Sequence, residues 1–374
     1  MKLTKTLLSL MTATLVLSGC SSAQKKTDST VSLKNAYVKN FNIGTALDTN
    51  QILETNPLVT SLIAKEFNSI TPENCMKSMF LQPEKDKFDF KMADKYVAFG
   101  EKHKMFIHGH TLIWHSQLPS WLSKVKDSVV MSEAMTKHIS TIVEKYKGRI
   151  GSWDVVNEAL NENGTLRKSV FLNSYGKDFL THAFKLAAKA DPKTDLYYND
   201  YNLCNAKKRK GAVELVKNLQ KKGAKIDGVG EQGHWNLTSP SLDEIEQTIL
   251  DFSELGVKVA ITELDISVLP NPRDVVGADV NQKAEASEKM NPYPKVLPDS
   301  IQTQLAERYE AIFKLFLKHQ DKISRVTFWG VNDGQSWLNG WPMKGRTNYP
   351  LLFDREFKPK DAYNKVLKLK ETKK

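Results

Sequence analysis

The sequence predicts an α/β fold made of a single (β/α)8 barrel, also called a TIM barrel. Short runs rich in β-forming residues alternate along the chain with amphipathic helical stretches, and eight such pairs can be distinguished. A strand followed by a helix is the repeating unit of a parallel sheet, and eight units close such a sheet into a barrel. The length of 374 residues suits one barrel of this class, which spans about 200 to more than 400 residues.

The predicted strands cover residues 41–47, 67–71, 105–112, 152–156, 195–199, 226–229, 257–262 and 325–330. The clearest predicted helices cover residues 132–147, 177–190, 242–255 and 301–319. In the last of these, Ile301, Leu305, Ile312 and Phe316 recur with a period close to that of an α-helix. A doubly wound open sheet is the alternative, but no glycine-rich phosphate-binding turn follows the first strand.

The first 19 residues are typical of a bacterial lipoprotein signal peptide. Lys2 and Lys5 give a basic start, residues 7–17 are an apolar run too short to span a bilayer, and Leu-Ser-Gly precedes Cys20. The thiol of Cys20 is therefore the predicted lipidation site. Residues 20–35 would form a flexible, lipid-anchored tether, and residues 36–374 the barrel domain. A plain secretory signal that is cut elsewhere is the alternative.

The net charge is basic but dispersed. Removing Lys2 and Lys5 from the formal net charge of +11 leaves +9. The lysines are spread along the chain, with small clusters at residues 207–210 and at the C-terminus. A nucleic-acid-binding protein would concentrate basic residues on one element with interleaved aromatic residues. The clusters are therefore interpreted as solvated surface, and no nucleic-acid partner is expected.

Two cysteines remain after Cys20. Cys75 and Cys204 follow the second and fifth predicted strands, which are not neighbours in a barrel. A disulfide requires Cα atoms within about 7 Å. Two free, mostly buried thiols are therefore expected.

Polar and aromatic residues are concentrated where the predicted strands end, which is where barrels of this class carry their active sites. All seven tryptophans lie in predicted strands or in the loops after them: Trp114, Trp121, Trp153, Trp235, Trp329, Trp337 and Trp341. Flat rings beside amide and carboxylate groups suit a ligand that has C–H faces and hydroxyl rims. A sugar polymer is such a ligand.

Two glutamates have the position that catalysis would require. Glu158 and Glu263 each end an apolar strand, where a charged side chain would be costly unless it faced a cleft. Hydrolysis of a glycosidic bond needs a proton for the leaving oxygen and support for an oxocarbenium-like centre, and two carboxyl groups supply both. A structural salt bridge at the barrel mouth is the alternative interpretation.

Five motifs together resemble those of the family 10 glycoside hydrolases, which are mainly endo-β-1,4-xylanases. They read Thr-Pro-Glu-Asn-Cys-Met-Lys from residue 71, His-Thr-Leu-Ile-Trp-His-Ser-Gln from 110, Trp-Asp-Val-Val-Asn-Glu-Ala from 153, Gln-Gly-His-Trp from 232 and Ile-Thr-Glu-Leu-Asp from 261. The resemblance covers residues 36–370 and implies a (β/α)8 barrel that hydrolyses xylan or xylo-oligosaccharides with retention of anomeric configuration. It implies no cofactor and no metal.

The resemblance also implies roles for individual residues. Glu158 would be the general acid/base and Glu263 the nucleophile, supported by Asn157, His234 and Asp265. The substrate-binding residues would be Glu73, Asn74, Lys77, His110, Trp114, Gln117, Gln232, Trp329 and Trp337. A cis peptide between His110 and Thr111 is implied as well.

The two glutamates should have different pKa values. Before reaction Glu263 is charged, and its field would raise the pKa of Glu158 and keep it protonated. Once Glu263 is esterified that field disappears, so that Glu158 can act as a base towards water.

Three other functions are weighed against this one. A metal hydrolase is suggested by the spacing of His108 and His110, but that arrangement would need a further histidine after the fifth strand, where residues 197–200 have none. A non-catalytic oligosaccharide-binding lipoprotein would be expected to lack one of the two glutamates. A retaining β-1,4-glucanase on the same scaffold differs only in the shape of the cleft.

Three further expectations follow. The irregular segment near residues 269–298 is too long for a bare connection, so a functional loop at the leaving-group side is plausible. The protein is expected to be a monomer. Ser21 after the lipidated cysteine favours the outer membrane over the inner one, and a polymeric substrate favours the cell surface over the periplasmic face.

Overall fold

The computed structural model describes residues 31–272, 275, 277–285 and 287–371, and it confirms the predicted barrel. Eight parallel strands form a closed ring in chain order. They are β1 (Asn42–Leu47), β2 (Ser69–Pro72), β3 (Phe106–Gly109), β4 (Ser152–Asn157), β5 (Asp195–Asp200), β6 (Gly228–Glu231), β7 (Lys258–Ser267) and β8 (Ile323–Phe328). The ring closes because β8 pairs with both β7 and β1, with Arg325 opposite Ala260 on one side and Asn42 on the other.

Helices surround the ring and cover its outer face. In the described residues they are Leu33–Tyr37, Thr49–Ile52, Pro57–Glu66, Ser78–Leu81, Lys91–Lys102, Ser128–Lys145, Val170–Tyr175, Phe179–Ala190, Ala206–Lys221, Leu242–Ser253, Asp299–Lys318 and Asp361–Lys368. Three 3-10 turns, Glu288–Met290, Asp333–Gln335 and Trp337–Asn339, lie in the loops after β7 and β8. Among these residues no helix is long and apolar enough to span a membrane.

The helix Asp299–Lys318 illustrates how sequence determines the outer layer. Tyr309, Ile312, Phe313 and Phe316 are buried, and they recur at helical spacing. Phe313 stacks on Phe328 of β8 with ring centroids 6.1 Å apart, which seals the helix against the ring.

Two strands differ most from their predicted bounds at the C-terminal edge of the ring. β3 ends at Gly109 instead of Leu112, the peptide His110–Thr111 is cis, and the chain pairs again with β4 only at Ile113–Trp114. β7 continues to Ser267, five residues past the predicted end, because the short strand His234–Asn236 pairs with residues 265–267. Glu263 therefore lies within a strand and not after one.

The interpretation of residues 207–210 as solvated surface was wrong for two of them. Lys208 is fully buried, and its Nζ lies 2.9 Å from Oδ1 of Asp200 and 3.0 Å from Oε1 of Glu162. Arg209 is 8% exposed and donates to Oδ2 of Asp251. Glu162 lies 46 positions from Lys208 and Asp251 lies 42 positions from Arg209, while Asp200 lies in the preceding strand, so the charge pattern of residues 207–210 alone could not reveal these partners.

The two thiols agree with the expectation. Cys75 and Cys204 are free and buried. Burial raises the pKa of both thiols well above the ordinary value, which keeps them protonated. The predicted signal peptide, Cys20 and the tether as far as residue 30 lie outside the described residues.

Candidate active site

The C-terminal edge of the ring brings the two predicted carboxyl groups into one buried cluster. Glu158 directly follows β4 and has a left-handed backbone with φ of 56°, while Glu263 lies in β7. Each is 4% exposed. Non-glycine residues in this region of φ are uncommon and are found disproportionately at functional sites.

Glu158 receives two hydrogen bonds from neutral donors. Nε1 of Trp114 donates to its Oε2 at 2.8 Å, and Nε2 of Gln232 donates to its Oε1 at 3.1 Å. The side-chain amide of Asn157 lies 3.3 Å from the same Oε1. Burial raises the pKa of Glu158, the two donors lower it in part, and the nearby charge of Glu263 raises it further. The direction agrees with the expectation from sequence, but burial and not the field of Glu263 is the main cause.

Glu263 is held by two different partners. Nδ2 of Asn199 donates to its Oε1 at 2.9 Å, and Nε2 of His234 lies 3.2 Å from its Oε2. Burial alone would raise the pKa of Glu263, but the hydrogen bond from His234, the charges of His110 and His234, and the bond from Asn199 outweigh it, so the pKa is lowered. The surroundings therefore favour the ionised form of Glu263 and the protonated form of Glu158.

The imidazole of His234 is itself fixed from behind. Its Nδ1 lies 3.0 Å from Oδ1 of Asp265, whose Oδ2 accepts a hydrogen bond from Nε1 of Trp337 at 2.8 Å. Burial would lower the pKa of His234, but the charge of Asp265 and the hydrogen bonds to Asp265 and Glu263 raise it to about 10. A cationic imidazole between two carboxylates keeps Glu263 charged and fixes its orientation.

Two residues of the cluster were missed in the sequence. Asn199, at 0% exposure, also accepts a hydrogen bond from Thr262 at 2.6 Å, so its donor is directed at Glu263. Asp154 lies in β4, directly before Val155. Its Oδ2 accepts a hydrogen bond from Nδ1 of His110 at 2.9 Å. Both end or interrupt apolar strands, the same signal that identified Glu158. Asp154 lies inside the motif that begins at Trp153 but was given no role, and Asn199 belongs to none of the five motifs.

His110 and His108 share one partner and do not form a metal-binding pair with each other. Nε2 of His108 lies 3.0 Å from Oδ2 of Asp154, the oxygen that also binds His110. Within the described part of the chain, no group of three or more His, Cys, Asp or Glu side chains has the geometry to hold a metal ion.

The residues predicted to bind substrate after β2 lie next to the two glutamates. Nζ of Lys77 donates to Oδ1 of Asn74 at 3.0 Å and lies 4.9 Å from the centre of the Trp114 ring. Burial lowers the pKa of Lys77, whereas the charges of Glu73, Glu263 and Glu158 raise it in part. Burial raises the pKa of Glu73, so at both residues burial favours the uncharged form. A carboxyl group, an amide and a buried lysine therefore continue the cluster to one side.

Aromatic rings form the wall on the other side. Trp337 lies 4.9 Å from the ring of His234 and stacks on Trp341 at 4.7 Å, and Trp329 meets His110 edge-on at 5.6 Å. Gln117 is half-buried in the loop after Ile113–Trp114, with φ of 48°. In the described structure no hydrogen bond connects its side chain with Glu158 or Glu263.

A groove of about 750 Å³ begins at His234 and runs between the loops that follow β6 and β7. Its walls combine amide and hydroxyl groups with apolar side chains, and none of its described lining residues is Asp, Glu, Lys or Arg. The end of β7 at Ser267 and the loop after it form one wall, with residues 268–272, 275 and 277. Further along, Oδ2 of Asp279 in this loop lies 2.9 Å from Nη1 of Arg167.

Residues 32–369 match the family model described as Glycosyl hydrolase family 10. Endo-1,4-β-xylanase A of Xylanibacter ruminicola is 44% identical over 344 residues, which are 91% of this chain and 93% of that protein. An endo-1,4-β-xylanase of Geobacillus stearothermophilus is 40% identical over 351 residues, covering 90% of this chain and 98% of that protein.

Solved structures show the same likeness. A GH10 endoxylanase retrieved from a sugarcane soil metagenome superposes with a TM-score of 0.87 at 48% identity, covering 90% of this chain and 99% of that one. A xylanase of Paenibacillus barcinonensis in complex with a conduramine derivative gives a TM-score of 0.81 at 36% identity, with 90% and 98% covered.

Proposed function

The chain belongs to glycosyl hydrolase family 10, and we propose that Glu158 and Glu263 carry its endo-1,4-β-xylanase activity by double displacement with retention. The observation that supports these roles most strongly is the opposite direction of the two pKa shifts within one buried cluster. A group with a raised pKa is suited to donate a proton, and one with a lowered pKa is suited to attack.

In the first step Glu158 gives its proton to the glycosidic oxygen as the bond to the leaving xylan chain breaks. The carboxylate of Glu263 attacks the anomeric carbon and forms a covalent glycosyl ester. Protonated His234 stays bonded to Glu263 as its charge falls. In the second step Glu158, now a carboxylate, takes a proton from water, which attacks the same carbon and releases Glu263.

The surroundings of the cluster support a polymeric sugar as substrate. Lys77, Glu73 and Asn74 provide donors and acceptors for the hydroxyl groups of the sugar on one side of the scissile bond, and Trp329 and Trp337 provide flat walls. We assign the groove that begins at His234, and that has no described Asp, Glu, Lys or Arg in its lining, to the leaving-group part of the xylan chain. Amide and hydroxyl linings beside apolar side chains suit neutral xylose units.

The direct test is reducing-sugar release by the purified enzyme on glucuronoxylan and on carboxymethyl-cellulose. Cleavage of xylan that Glu263→Ala abolishes is the expected result. Asp191→Asn is the matched control, because Asp191 is also a buried carboxylate that accepts two backbone N–H groups, but it precedes β5 at the opposite end of the barrel. Cleavage of the cellulose derivative alone would contradict the xylanase assignment.

We further propose that the enzyme is exported and anchored through lipid on Cys20, with the barrel outside the outer membrane. The basic start, the short apolar run and the Leu-Ser-Gly-Cys sequence support this proposal. Cys20→Ala should move the protein from the membrane fraction to the soluble fraction. Protease added to intact cells should degrade the anchored enzyme, and full protection would contradict an external location.

A further inference from the structure

Glu231, the last residue of β6, has no role in the mechanism above, yet its carboxylate is completely enclosed. It is 1% exposed, and both of its oxygens are occupied. Oε2 accepts from the backbone N–H of Leu203 at 2.7 Å, while Oε1 accepts from the backbone N–H of Gly233 at 3.2 Å and from Nε1 of Trp235 at 3.3 Å.

The side chain points away from the substrate. Successive residues of a strand face opposite sides, so Glu231 faces the same way as Val229, towards the helices, while Gln232 faces the catalytic cluster. Trp235 agrees with this placement, because its ring lies 6.4 Å from that of Phe316 in the outer helix layer. Glu231 therefore acts on the reaction only through the groups that it holds.

Those groups support both catalytic carboxyls. The turn after β6 places Gln232, which donates to Glu158, and His234, which bonds Glu263. Between them Gly233 has φ of 85°, a conformation that other residues rarely adopt, so this turn requires outside support to keep one geometry. The bond from Gly233 to Glu231 supplies it, and the bond from Leu203 ties the turn to the end of β5.

We propose that Glu231 is a positioning residue that fixes the turn of residues 232–234 and thereby the hydrogen-bond partners of both catalytic glutamates. An apolar side chain of similar size would leave the N–H groups of Leu203 and Gly233 buried without an acceptor, which is unfavourable. The titratable groups near Glu231 are the ammonium of Lys208 and the thiol of Cys204, which burial keeps neutral. Burial raises the pKa of Glu231 to about 7, as expected for a carboxylate held mainly by neutral donors.

Glu231→Gln is the informative substitution, because it keeps the shape and replaces one acceptor oxygen with an N–H₂ group that faces N–H donors. Both catalytic carboxyl groups should then be oriented less precisely, which should lower kcat about 10- to 100-fold. Weaker donation from Gln232 and His234 should raise the pKa values of Glu158 and Glu263, and so displace both limbs of the pH–rate profile to higher pH. A xylo-oligosaccharide is a suitable substrate, because its leaving sugar needs the proton of Glu158, and active sites are counted by covalent trapping.

The control is again Asp191→Asn, which should lower Tm without displacing the pH–rate profile. A purely structural role of Glu231 would give the same result as this control, and would overturn the proposal. If Glu231→Gln does not fold, Trp235→Phe is the second variant, because it removes the indole N–H that Glu231 accepts, together with part of the ring, and leaves Glu231 in place. It should displace the profile in the same direction by less, and an unchanged profile would overturn the proposal as well.

This inference rests on the proposed roles of Glu158 and Glu263, but the two can fail separately. Activity that survives Glu263→Ala would refute the roles themselves. Loss in Glu263→Ala together with a wild-type profile in Glu231→Gln would leave the roles intact and refute the positioning role of Glu231.

Discussion

Two glutamates with the same ordinary pKa are shifted in opposite directions because they have different partners. Glu158 faces the neutral donors Trp114 and Gln232, which only partly offset burial. Glu263 faces the cationic imidazole of His234, whose hydrogen bond and charge help to lower the pKa of Glu263 by more than burial raises it. The proposed division between acid and nucleophile therefore depends on a few hydrogen bonds, chiefly those of His234, and not on the position of either carboxyl in its strand.

Glu158→Ala should slow hydrolysis of xylan about 10²- to 10⁴-fold, because the leaving sugar oxygen then departs without a proton. Aryl xylosides with good leaving groups need little protonation, so their glycosylation step should be affected much less. Pre-steady-state kinetics on both substrates measure the difference. Equal losses on the two substrates would refute the acid role.

His234 should make stability depend on pH on the alkaline side. Its pKa is about 10 in the folded protein and near 6.5 when unfolded, so its contribution is fully present below pH 6.5 and is lost as the pH rises through 10. Urea unfolding at pH 6, 8 and 10 should show a decline in the free energy of unfolding that is shallower in His234→Gln. Parallel declines would refute the charged imidazole.

At the scale of elements, the eight strand–helix pairs were predictable because burial on both faces leaves continuous apolar runs. The positions at which the strands end were harder to predict. The continuation of β7 to Ser267 depends on pairing with His234–Asn236, a contact between segments about 30 positions apart that no local pattern encodes. The same limit explains why motifs identified Glu158 and His234, whereas the hydrogen bond from Asn199 and the burial of Lys208 emerged only in three dimensions.

The turn after β6 provides a test at this scale. Gly233 and Gly223 both have positive φ, but an added Cβ at Gly233 would lie 3.0 Å from Cγ2 of Ile261, whereas at Gly223 it would meet nothing within 4 Å. Each change to Ala should cost about 1–3 kcal/mol of stability through backbone strain, with Gly233→Ala the costlier. Only Gly233→Ala should also reduce kcat, by about tenfold or more, since it displaces Gln232 and His234. Similar kcat values for both variants would contradict this account of the turn.

At the scale of the whole molecule, buried ion pairs connect the ring to its helices. Lys208, in the helix after β5, and Asp200, at the end of β5, are both at 0% exposure. Lys208→Met should lower the free energy of unfolding by about 3–5 kcal/mol, because it leaves a buried carboxylate without its cation. Adding Asp200→Leu should recover part of that loss. Denaturant unfolding of Lys208→Met, of Asp200→Leu and of the double variant measures this coupling. If the losses of the two single variants simply add in the double variant, the pair is not coupled and the prediction is wrong.

The central claim is that Glu263 forms the covalent bond to the sugar, and trapping that bond tests it most directly. The enzyme is incubated with a 2-deoxy-2-fluoro-xylobioside that has an activated leaving group, and the digested protein is examined by mass spectrometry. We expect one added glycosyl group per chain, on the peptide that contains Glu263, and none in Glu263→Ala. A label on Glu158 or on any other residue would contradict the mechanism.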